Sequence, residues 1–575
     1  MFSRVLISLG AAYVVSAAAS QGIDYRVVAL TGDPVPGLRE GVYISGFGGG
    51  VNNLPQIADD GSVCFVARLA GPAVNPKNDR ALCIADLDGG IRVLLRTGQQ
   101  APGLSFGELV LNITNINYGR NGDCGFGVEY TDRTGEYMPG EYGVYVADDA
   151  GVHFIARLGD PFPGGSPGDV FTRLLTPIPG PGDNGYAALS EGGNDENGLL
   201  SIGSGSALIP IARTGDPVPA IGPGVQLGEL LFPQHHDTKR VLVRTFLSGA
   251  GVTDDNSYAI CLASESGVEP IFRQGQMVPD EPPGDLSFAF AAFSSDLSGR
   301  VLLRAALQGS SVDSHNLYGL WLRHADGTLT KVMREGDPAP GTEQDTVFNG
   351  ILGELPDGAG NAVFIATITG PAINTRNDRG LWRGSTHSNL WQVLRAGNPA
   401  PRITDATISA AGLRHKANHA GQFVVACTLR GDGVDASNDQ ALYMLSESQE
   451  LVLVLRDSET YDVGRAGGMP DLRQLQFFTL YGNYPPFDYA SVLNNRNEIV
   501  QLVGFQDESR GLLVISLDDG CTADTNGDGS LTPTDFTAWI NAFNNSLPEC
   551  DQNGDGACTP TDFTAWIANY NAGCP

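Results

Sequence analysis

Two stretches near the C-terminus carry residue types at a spacing suited to one kind of chemistry: DTNGDGSLTPTDFTAWI at 524–540 and DQNGDGACTPTDFTAWI at 551–567. In the first, oxygen-bearing side chains fall at Asp524, Asn526 and Asp528, and Gly529 permits a sharp turn. Ser530 then offers its carbonyl, Thr532 reaches through a water, and Asp535 brings a carboxylate back. The second stretch supplies Asp551, Asn553, Asp555, Gly556, Ala557, Thr559 and Asp562 in the same register, and Ala557 serves as well as Ser530 because only its carbonyl is needed. Positions 1, 3, 5, 7, 9 and 12 of a twelve-residue loop are where a hard cation collects its six to eight oxygen ligands. The spacing therefore predicts two Ca²⁺ ions, one per loop. Asp replaces the usual Glu at position 12, and its shorter side chain demands a tighter approach.

The segment after each loop must position that last carboxylate. TPTDFTAWINAFNN reads as a helix: Pro533 suits a first-turn position, and Phe536, Trp539, Ile540 and Phe543 fall at i, i+3, i+4 and i+7. The second copy repeats the stripe with Phe563, Trp566, Ile567 and Tyr570. Two short helices can hide these stripes against each other, which is a physical reason to write the unit twice. The segment before the first loop, SLDDGCTA, shows no entering helix. A doubled loop–helix unit with Asp at position 12 resembles a type I dockerin. More narrowly, it resembles the dockerin-like module of planctomycete surface proteins that ends in Gly-Cys, matched here by Gly573–Cys574. The resemblance covers 521–575. It implies calcium-dependent folding, a pseudo-two-fold docking surface, and a cohesin-like or other surface-anchoring partner. Cys521, Cys550, Cys558 and Cys574 allow three pairings, among which the sequence does not choose.

The rest of the chain is periodic. ALTGDPVPG (29–37) returns as LRTGQQAPG, ARLGDPFPG, ARTGDPVPA, FRQGQMVPD, MREGDPAPG and LRAGNPAPR, with a worn eighth copy, LRDSETYDV (455–463). Arg recurs at 96, 157, 213, 273, 334, 395 and 456, with Leu30 in its place in the first copy. Each unit also carries a polar turn before an apolar alternation (DDGSVCFVARL, NHAGQFVVACTL) and an Asn/Asp turn before a short apolar run (NDRALCIAD, NDQALYMLS). Such runs, bounded by Gly, Pro, Asn and Asp, are strands. About four fall in each unit of roughly 60 residues, and a single four-stranded sheet cannot cover both its faces. The expected fold is mainly β: an eight-bladed β-propeller of four-stranded repeats over 23–517, followed by the small α-helical calcium-binding domain at 521–575. The phase is informative. IDYRVVAL (23–30) opens the domain on what is elsewhere a fourth strand, and RGLLVISL (510–517) closes it on a third, so the chain start should complete the last blade. The GDPxPG segment reads as a tight turn between blades, with its Arg placed to pair with the Asp three residues on. NHAGQFVV and GNAVFIA resemble the NxxGxxAF tandem repeat of secreted bacterial proteins, a family that brings no chemistry with it.

With 65 Asp and Glu against 35 Lys and Arg, the chain carries a formal charge of −30, which excludes nucleic acid and anionic membrane surfaces as partners. MFSRVLISLGAAYVVSAAAS at 1–20 reads as a secretory signal peptide, placing the mature protein outside the cell or on its surface. No later segment is apolar for the ~20 residues a membrane span requires. Nine Cys in an exported chain suggest disulfides, and Cys64 with Cys83, on adjacent strands, are a candidate pair. No nucleophile, zinc or phosphate-loop motif appears. His235–His236 and His415/His419 fall near strand ends, so neither catalytic residues nor an organic cofactor are assigned. The expected function is a secreted, non-catalytic surface or matrix protein that binds a polysaccharide or protein ligand through the propeller and is anchored through the tail. The alternative is a secreted polysaccharide hydrolase or lyase with a targeting module.

Overall fold

The computed structural model describes residues 22–572 apart from 49–52, 88, 132–135, 182–184, 194–196, 280–285, 297, 447–448, 466–468, 480–491, 519–522, 527–530, 546, 548–549, 551 and 553–557. The segment read as a signal peptide lies outside the described residues. Tyr25–Ile515 forms one compact unit, and the residues from Ser516 onward belong to a second.

The first unit is an eight-bladed β-propeller. In blade 1 the strands Tyr43–Phe47, Val63–Ala70, Arg80–Ala85 and Ile91–Arg96 pair in sequence order, from the inner to the outer edge. Blades 2 to 7 repeat this antiparallel meander over 110–157, 171–213, 225–273, 287–334, 347–395 and 406–456. Blade 8 takes its inner three strands from Leu472–Phe478, Glu498–Phe505 and Arg510–Asp518, and its outer strand from Gly22–Leu30. The phase of the repeats anticipated this closure, which leaves no blade with a missing fourth strand.

The core lies between blades rather than inside one. Leu302, Leu320 and Met333 of blade 5 share a cluster with Phe348, Phe364 and Trp382 of blade 6, and blades 1 and 2 meet likewise through Ile84, Ile113, Phe126 and Tyr145. Trp382 sits 5.1 Å from the ring of Phe348 and 6.3 Å from that of Phe364. Each large side chain hidden this way contributes roughly 1.5–3 kcal/mol.

The repeated turn has a definite task. Its Gly adopts φ of 80–97° in seven copies and donates its N–H to the inner strand of the next blade, as Gly336 does to Phe348 O at 2.9 Å. Ser458 holds the same place in the eighth copy at φ 64°. The first Pro position bridges to the start of that inner strand, for example Pro338 to Val347. The second Pro accepts from an aromatic on the third strand: Trp382 Nε1 to Pro340 O at 3.0 Å and Tyr443 Oη to Pro401 O at 3.0 Å.

The repeated Arg does not do what its spacing suggested. Arg157 does pair with the Asp three residues on, Nε to Asp160 Oδ1 at 3.3 Å. In five blades the Nε atoms of Arg96, Arg273, Arg334, Arg395 and Arg456 donate instead to the carbonyls of Asn78, Asn256, Asn316, Asn377 and Asn438, at 2.9–3.4 Å. Four of these five have Gln99, Gln276, Asn398 or Glu459 where the Asp would be. In the Asp-bearing copies the carboxylate faces its own backbone, as Asp216 accepts from Arg213 N at 2.8 Å. Each partner Asn also closes its own turn, as Asn377 accepts from Asn374 N at 2.7 Å and donates to Ala372 O at 3.2 Å. The Arg is thus a tie from the end of the outer strand to the turn joining strands two and three.

Cys64 and Cys83 do not form the expected pair. Cys64 lies opposite Ile84, and Cys83 opposite Phe65, so the two side chains leave opposite faces of the sheet. Both are buried free thiols, and Cys64 Sγ instead meets Cys124 Sγ of blade 2 at 3.6 Å.

Two outcomes are expected from this packing. Asn377→Ala removes both side-chain bonds of a turn that anchors Arg395, and should lower stability by about 1–2 kcal/mol in urea unfolding. Glu354 is buried between blades, with Arg304 Nε 3.4 Å from Oε1 and no hydrogen-bond partner at Oε2. Burial pushes its carboxyl up to about 7, against the pull of Arg304. The folded chain then keeps a proton that the unfolded chain releases near the ordinary carboxyl value. This stabilising contribution is present at low pH and is lost as pH rises through 7. Glu354→Gln should accordingly gain stability relative to the parent between pH 5 and 8, read as a rising difference in urea midpoint.

Candidate functional site

Two places carry candidate functional groups. The first is the mouth of the propeller's axial channel, where the inner strands end and turn back into the second strands. A cavity of about 200 Å³ opens there, lined by residues of blades 2 to 8 that include Arg120, Pro179, His235, Ser294, Pro356, His419 and Leu493.

Most polar groups around this mouth bind the backbone of a neighbouring blade. Gln56 Nε2 donates to Ile116 O at 2.7 Å, while its Oε1 accepts from Tyr118 N at 2.8 Å. Asn117 Nδ2 donates to Pro177 O at 3.1 Å, and His235 Nε2 lies 3.0 Å from Ile178 O. Ser295 N donates to Gln234 Oε1 at 3.0 Å, and an Arg300 guanidinium nitrogen donates to Gly358 O. His415 Nε2 lies 2.9 Å from Val363 O, Asn418 Nδ2 donates to Asn494 O at 2.8 Å, and Asn494 Nδ2 to Ala58 O at 2.9 Å. These contacts cross all eight seams in order, including the seam between blades 8 and 1. Asn418 also explains the NxxGxxAF spacing. Its Oδ1 accepts from Ala420 N at 3.0 Å and Gln422 N at 2.9 Å, so one side chain shapes the turn and its amide holds the next blade.

Of the histidines noted in the sequence, His235 and His415 are therefore structural in their contacts. Burial lowers the imidazole of His235 against the pull of the Asp237 and Ile178 carbonyls. Burial pushes His415 down to about 3, and burial with the charge of Arg120 does the same to His419. All three are neutral at pH 7. Arg120 Nη1 meets Asp59 Oδ1 at 3.2 Å, and Asp59 also accepts from Asn495 N and Nδ2 at 2.8 and 2.9 Å. Ser294 is 7% exposed, and its Oγ has no hydrogen-bond partner. The sequence reading missed Arg120, Ser294 and Lys416. The signal that finds them is place in the repeat: each sits at or just before the polar turn that ends an inner strand.

The second place is the C-terminal pair. Helix α1 spans Pro533–Asn545 and α2 spans Pro560–Ala572, so each Pro opens its helix. Phe536 packs on Trp566 at 5.0 Å and on Phe563 at 5.7 Å, and Trp539 packs on Phe563 at 5.5 Å. The indoles cross over. Trp539 Nε1 donates to Cys550 O, just ahead of the second loop, and Trp566 Nε1 to Ala523 O, just ahead of the first, both at 3.2 Å. Ile540, Ile567 and Phe563 depart from the expected buried stripe, at 41%, 40% and 40% exposed; the two Ile occupy equivalent places. Each Ile follows its Trp by one residue, roughly 100° around the helix, and that rotation carries it to the rim of the contact.

Asp535 and Asp562 lie in the first turns of their helices and are fully buried. Asp535 Oδ2 accepts from Thr532 N at 2.7 Å and Oδ1 from Asn526 N at 3.4 Å; Asp562 accepts from Thr559 N at 2.7 Å and Gln552 N at 3.0 Å. The Thr–Asp half of this pattern is a helix-capping arrangement. The bonds to Asn526 and Gln552 reach back to the start of each loop. Asp524, Asn526, Thr532 and Thr559 are described, whereas Asp528, Ser530, Asp551, Asn553, Asp555 and Ala557 lie outside the described residues. Among the described residues no group of three or more His, Cys, Asp or Glu side chains is assembled. The donor set is all oxygen, with a buried carboxylate turned to each loop, and its chemistry fits a hard cation. Cys550 and Cys558 form a disulfide that brackets the second loop. The first loop has Ala523 and Leu531 at the matching positions. Cys521 and Cys574 lie outside the described residues. Among the described residues no helix is long and apolar enough to cross a membrane.

Comparison with known proteins adds the following. No curated protein matches the chain. Among solved structures, the β-propeller domain of the Trilobed protease from Pyrococcus furiosus is similar at 11% identity and a TM-score of 0.35, over 70% of this chain and 96% of that one. Acylaminoacyl peptidase from Pyrococcus horikoshii is similar at 10% identity and a TM-score of 0.35, over 74% of this chain and 56% of that one, so this chain matches about half the peptidase's length. The α-L-arabinofuranosidase Arb93A from Fusarium graminearum is similar at 10% identity and a TM-score of 0.24, over 60% of this chain and 92% of that one. Such likenesses concern fold alone. A family model matches residues 11–170 and 142–517, and the chain belongs to that family, the family of unknown function DUF7453.

Proposed function

We propose that this protein is a secreted, non-catalytic surface or extracellular-matrix protein. Its propeller holds a ligand at the axial mouth, and its tail takes up two Ca²⁺ ions and docks to a cohesin-like or other surface partner. The observation that carries the binding half is the use made of the mouth's polar groups. His235, His415, Gln234, Asn117 and Asn418 are bound to backbone atoms of adjacent blades. A general base must be free to take up a proton and move with its substrate. Groups held in this way serve shape and hydrogen bonding instead.

The tail reading is supported by the oxygen donor set and by the crossed indoles, which make the two loop–helix units interdependent. Ion binding in one loop is then felt through the aromatic contact by the other. The exposed Ile540 and Ile567, at equivalent places on α1 and α2, supply a pseudo-symmetric apolar pair of the kind a docking partner would cover.

Calorimetry on the full chain should give two Ca²⁺ ions per molecule, with Asp528→Ala and Asp555→Ala each removing one. An unchanged stoichiometry in both variants would end the calcium reading. On a glycan panel the chain should bind without product, and released sugar would favour the hydrolase or lyase alternative.

A further inference from the structure

The seam between blades 1 and 2 brings two sulfurs together. Cys64 Sγ and Cys124 Sγ lie 3.6 Å apart, and both side chains are fully buried. The sequence accounts for the meeting. Counted from the Gly of the polar turn, Gly61 or Gly122, Cys64 is the third residue and Cys124 the second. Side chains alternate along a strand, so this shift of one position sends the two thiols off opposite faces of their sheets. On neighbouring blades, opposite faces look at each other. Both side chains accordingly belong to the apolar cluster that joins the blades, with Val66, Ile84 and Phe126.

The surroundings hold this approach in place. In the strand ladders Cys64 lies opposite Gln56, and Cys124 opposite Tyr118. Those two partners are bonded to each other across the seam, Tyr118 N donating to Gln56 Oε1 at 2.8 Å. Beside them the Ser62 and Tyr118 hydroxyls meet at 2.7 Å. Disulfide sulfurs sit about 2.05 Å apart, so the pair has to close by roughly 1.5 Å. Cys83, Cys261 and Cys427 are also buried free thiols, and among the described residues none of them is in contact with another sulfur.

We propose that Cys64 and Cys124 form a disulfide that joins blade 1 to blade 2. The oxidant is a disulfide-bearing donor. One cysteine thiolate attacks a donor sulfur, and a mixed disulfide forms as the first donor thiolate leaves. The other cysteine thiolate then attacks the protein sulfur of that mixed disulfide, and the second donor thiolate leaves. The two cysteines give up two protons and two electrons, and the donor is reduced to two thiols. Burial raises the Cys64 thiol well above its ordinary value, and the hydrogen bond and charge of Cys124 act the same way. Exchange therefore belongs to the stage before the seam closes, and the finished bond is shielded from reductants. The bond spans 60 residues, a loop long enough to restrict the unfolded chain substantially. This inference rests on the reading of the chain as exported, because such bonds form and persist in oxidising compartments.

The test begins with the full chain, reduced in urea and refolded with oxidised and reduced glutathione. Digestion without reductant should release a Cys64 peptide joined to a Cys124 peptide, lighter by two hydrogens than the separate thiols. Alkylation in urea should label Cys83, Cys261 and Cys427 and spare Cys64 and Cys124. The joined form should unfold at higher urea than the reduced form. Cys64→Ser should open Cys124 to alkylation, Cys124→Ser should open Cys64, and Cys83→Ser should change neither. Alkylation of both Cys64 and Cys124 in the refolded parent overturns the inference, as does pairing of either one with Cys83 or with a tail cysteine. That result is read on the parent and does not depend on whether a variant folds. Export is read separately, on material from the producing cell. Chain recovered outside the cell, without residues 1–20 and joined at Cys64–Cys124, supports both readings. Chain that joins on refolding but stays in the cell with residues 1–20 in place leaves the pairing standing and removes the export reading. Exported chain with both thiols free keeps export and overturns the pairing.

Discussion

The seam between blades is the constraint on which this molecule depends. Within a blade, backbone ladders hold neighbouring strands. Between blades the sheets meet face to face, and no ladder crosses. Apolar clusters supply most of the adhesion, but they are non-directional and do not fix how far one blade is rotated against the next. Direction comes from single side chains that reach a carbonyl or amide on the adjacent blade. Many of the partners are one repeat apart, at 60, 60, 57 and 61 residues for Gln56–Ile116, Asn117–Pro177, Ile178–His235 and Gln234–Ser295. The same bonds that orient the blades surround the axial mouth. The shape of the candidate site and the stability of the ring are therefore set by one group of residues.

Much of the fold could be read from periodicity, because turns and strand ends have strict residue requirements. A Gly that must take positive φ, a Pro that presets φ and an apolar alternation all leave marks at fixed spacing, and so the blade count and the closure by 23–30 were legible. The role of the repeated Arg was not. Its acceptor is a backbone carbonyl, which any residue provides, and the spacing pointed to an Asp that four of the five carbonyl-bonded copies lack. The Cys64–Cys83 expectation failed on the alternation of strand side chains, since adjacent strands do not place every pair of residues on one face. The mouth was harder still. Blades 2 to 8 contribute two to four residues each to it, and their types differ from blade to blade, as Arg120, Pro179, His235, Ser294, Pro356 and His419 show. Repetition makes the frame visible and hides the site, because a site consists of the departures from the repeat.

The tail obeys a different logic. Its helices are too short to stand alone, and each loop contributes a carbonyl that the other helix's indole needs. Asp535 and Asp562 both cap a helix and face a loop. A residue serving two purposes is constrained by both, and Asp is kept in both copies while Thr525 is replaced by Gln552 and Ser530 by Ala557. The disulfide at Cys550–Cys558 ties together the two ends of the second loop.

The outermost strand of blade 8 comes from Gly22–Leu30, and the strand it pairs with is Arg510–Asp518. During synthesis these partners are made in that order. At about 5–20 residues per second, the first waits roughly half a minute or more for the second. Throughout that interval YRVVAL is a β-branched edge without a mate, able to register against any other strand that offers one. The wheel is thus a fold whose last joint is its first-made part. Any agent that holds the nascent N-terminal strand in reserve would govern the yield of closed rings more than the quality of any single blade.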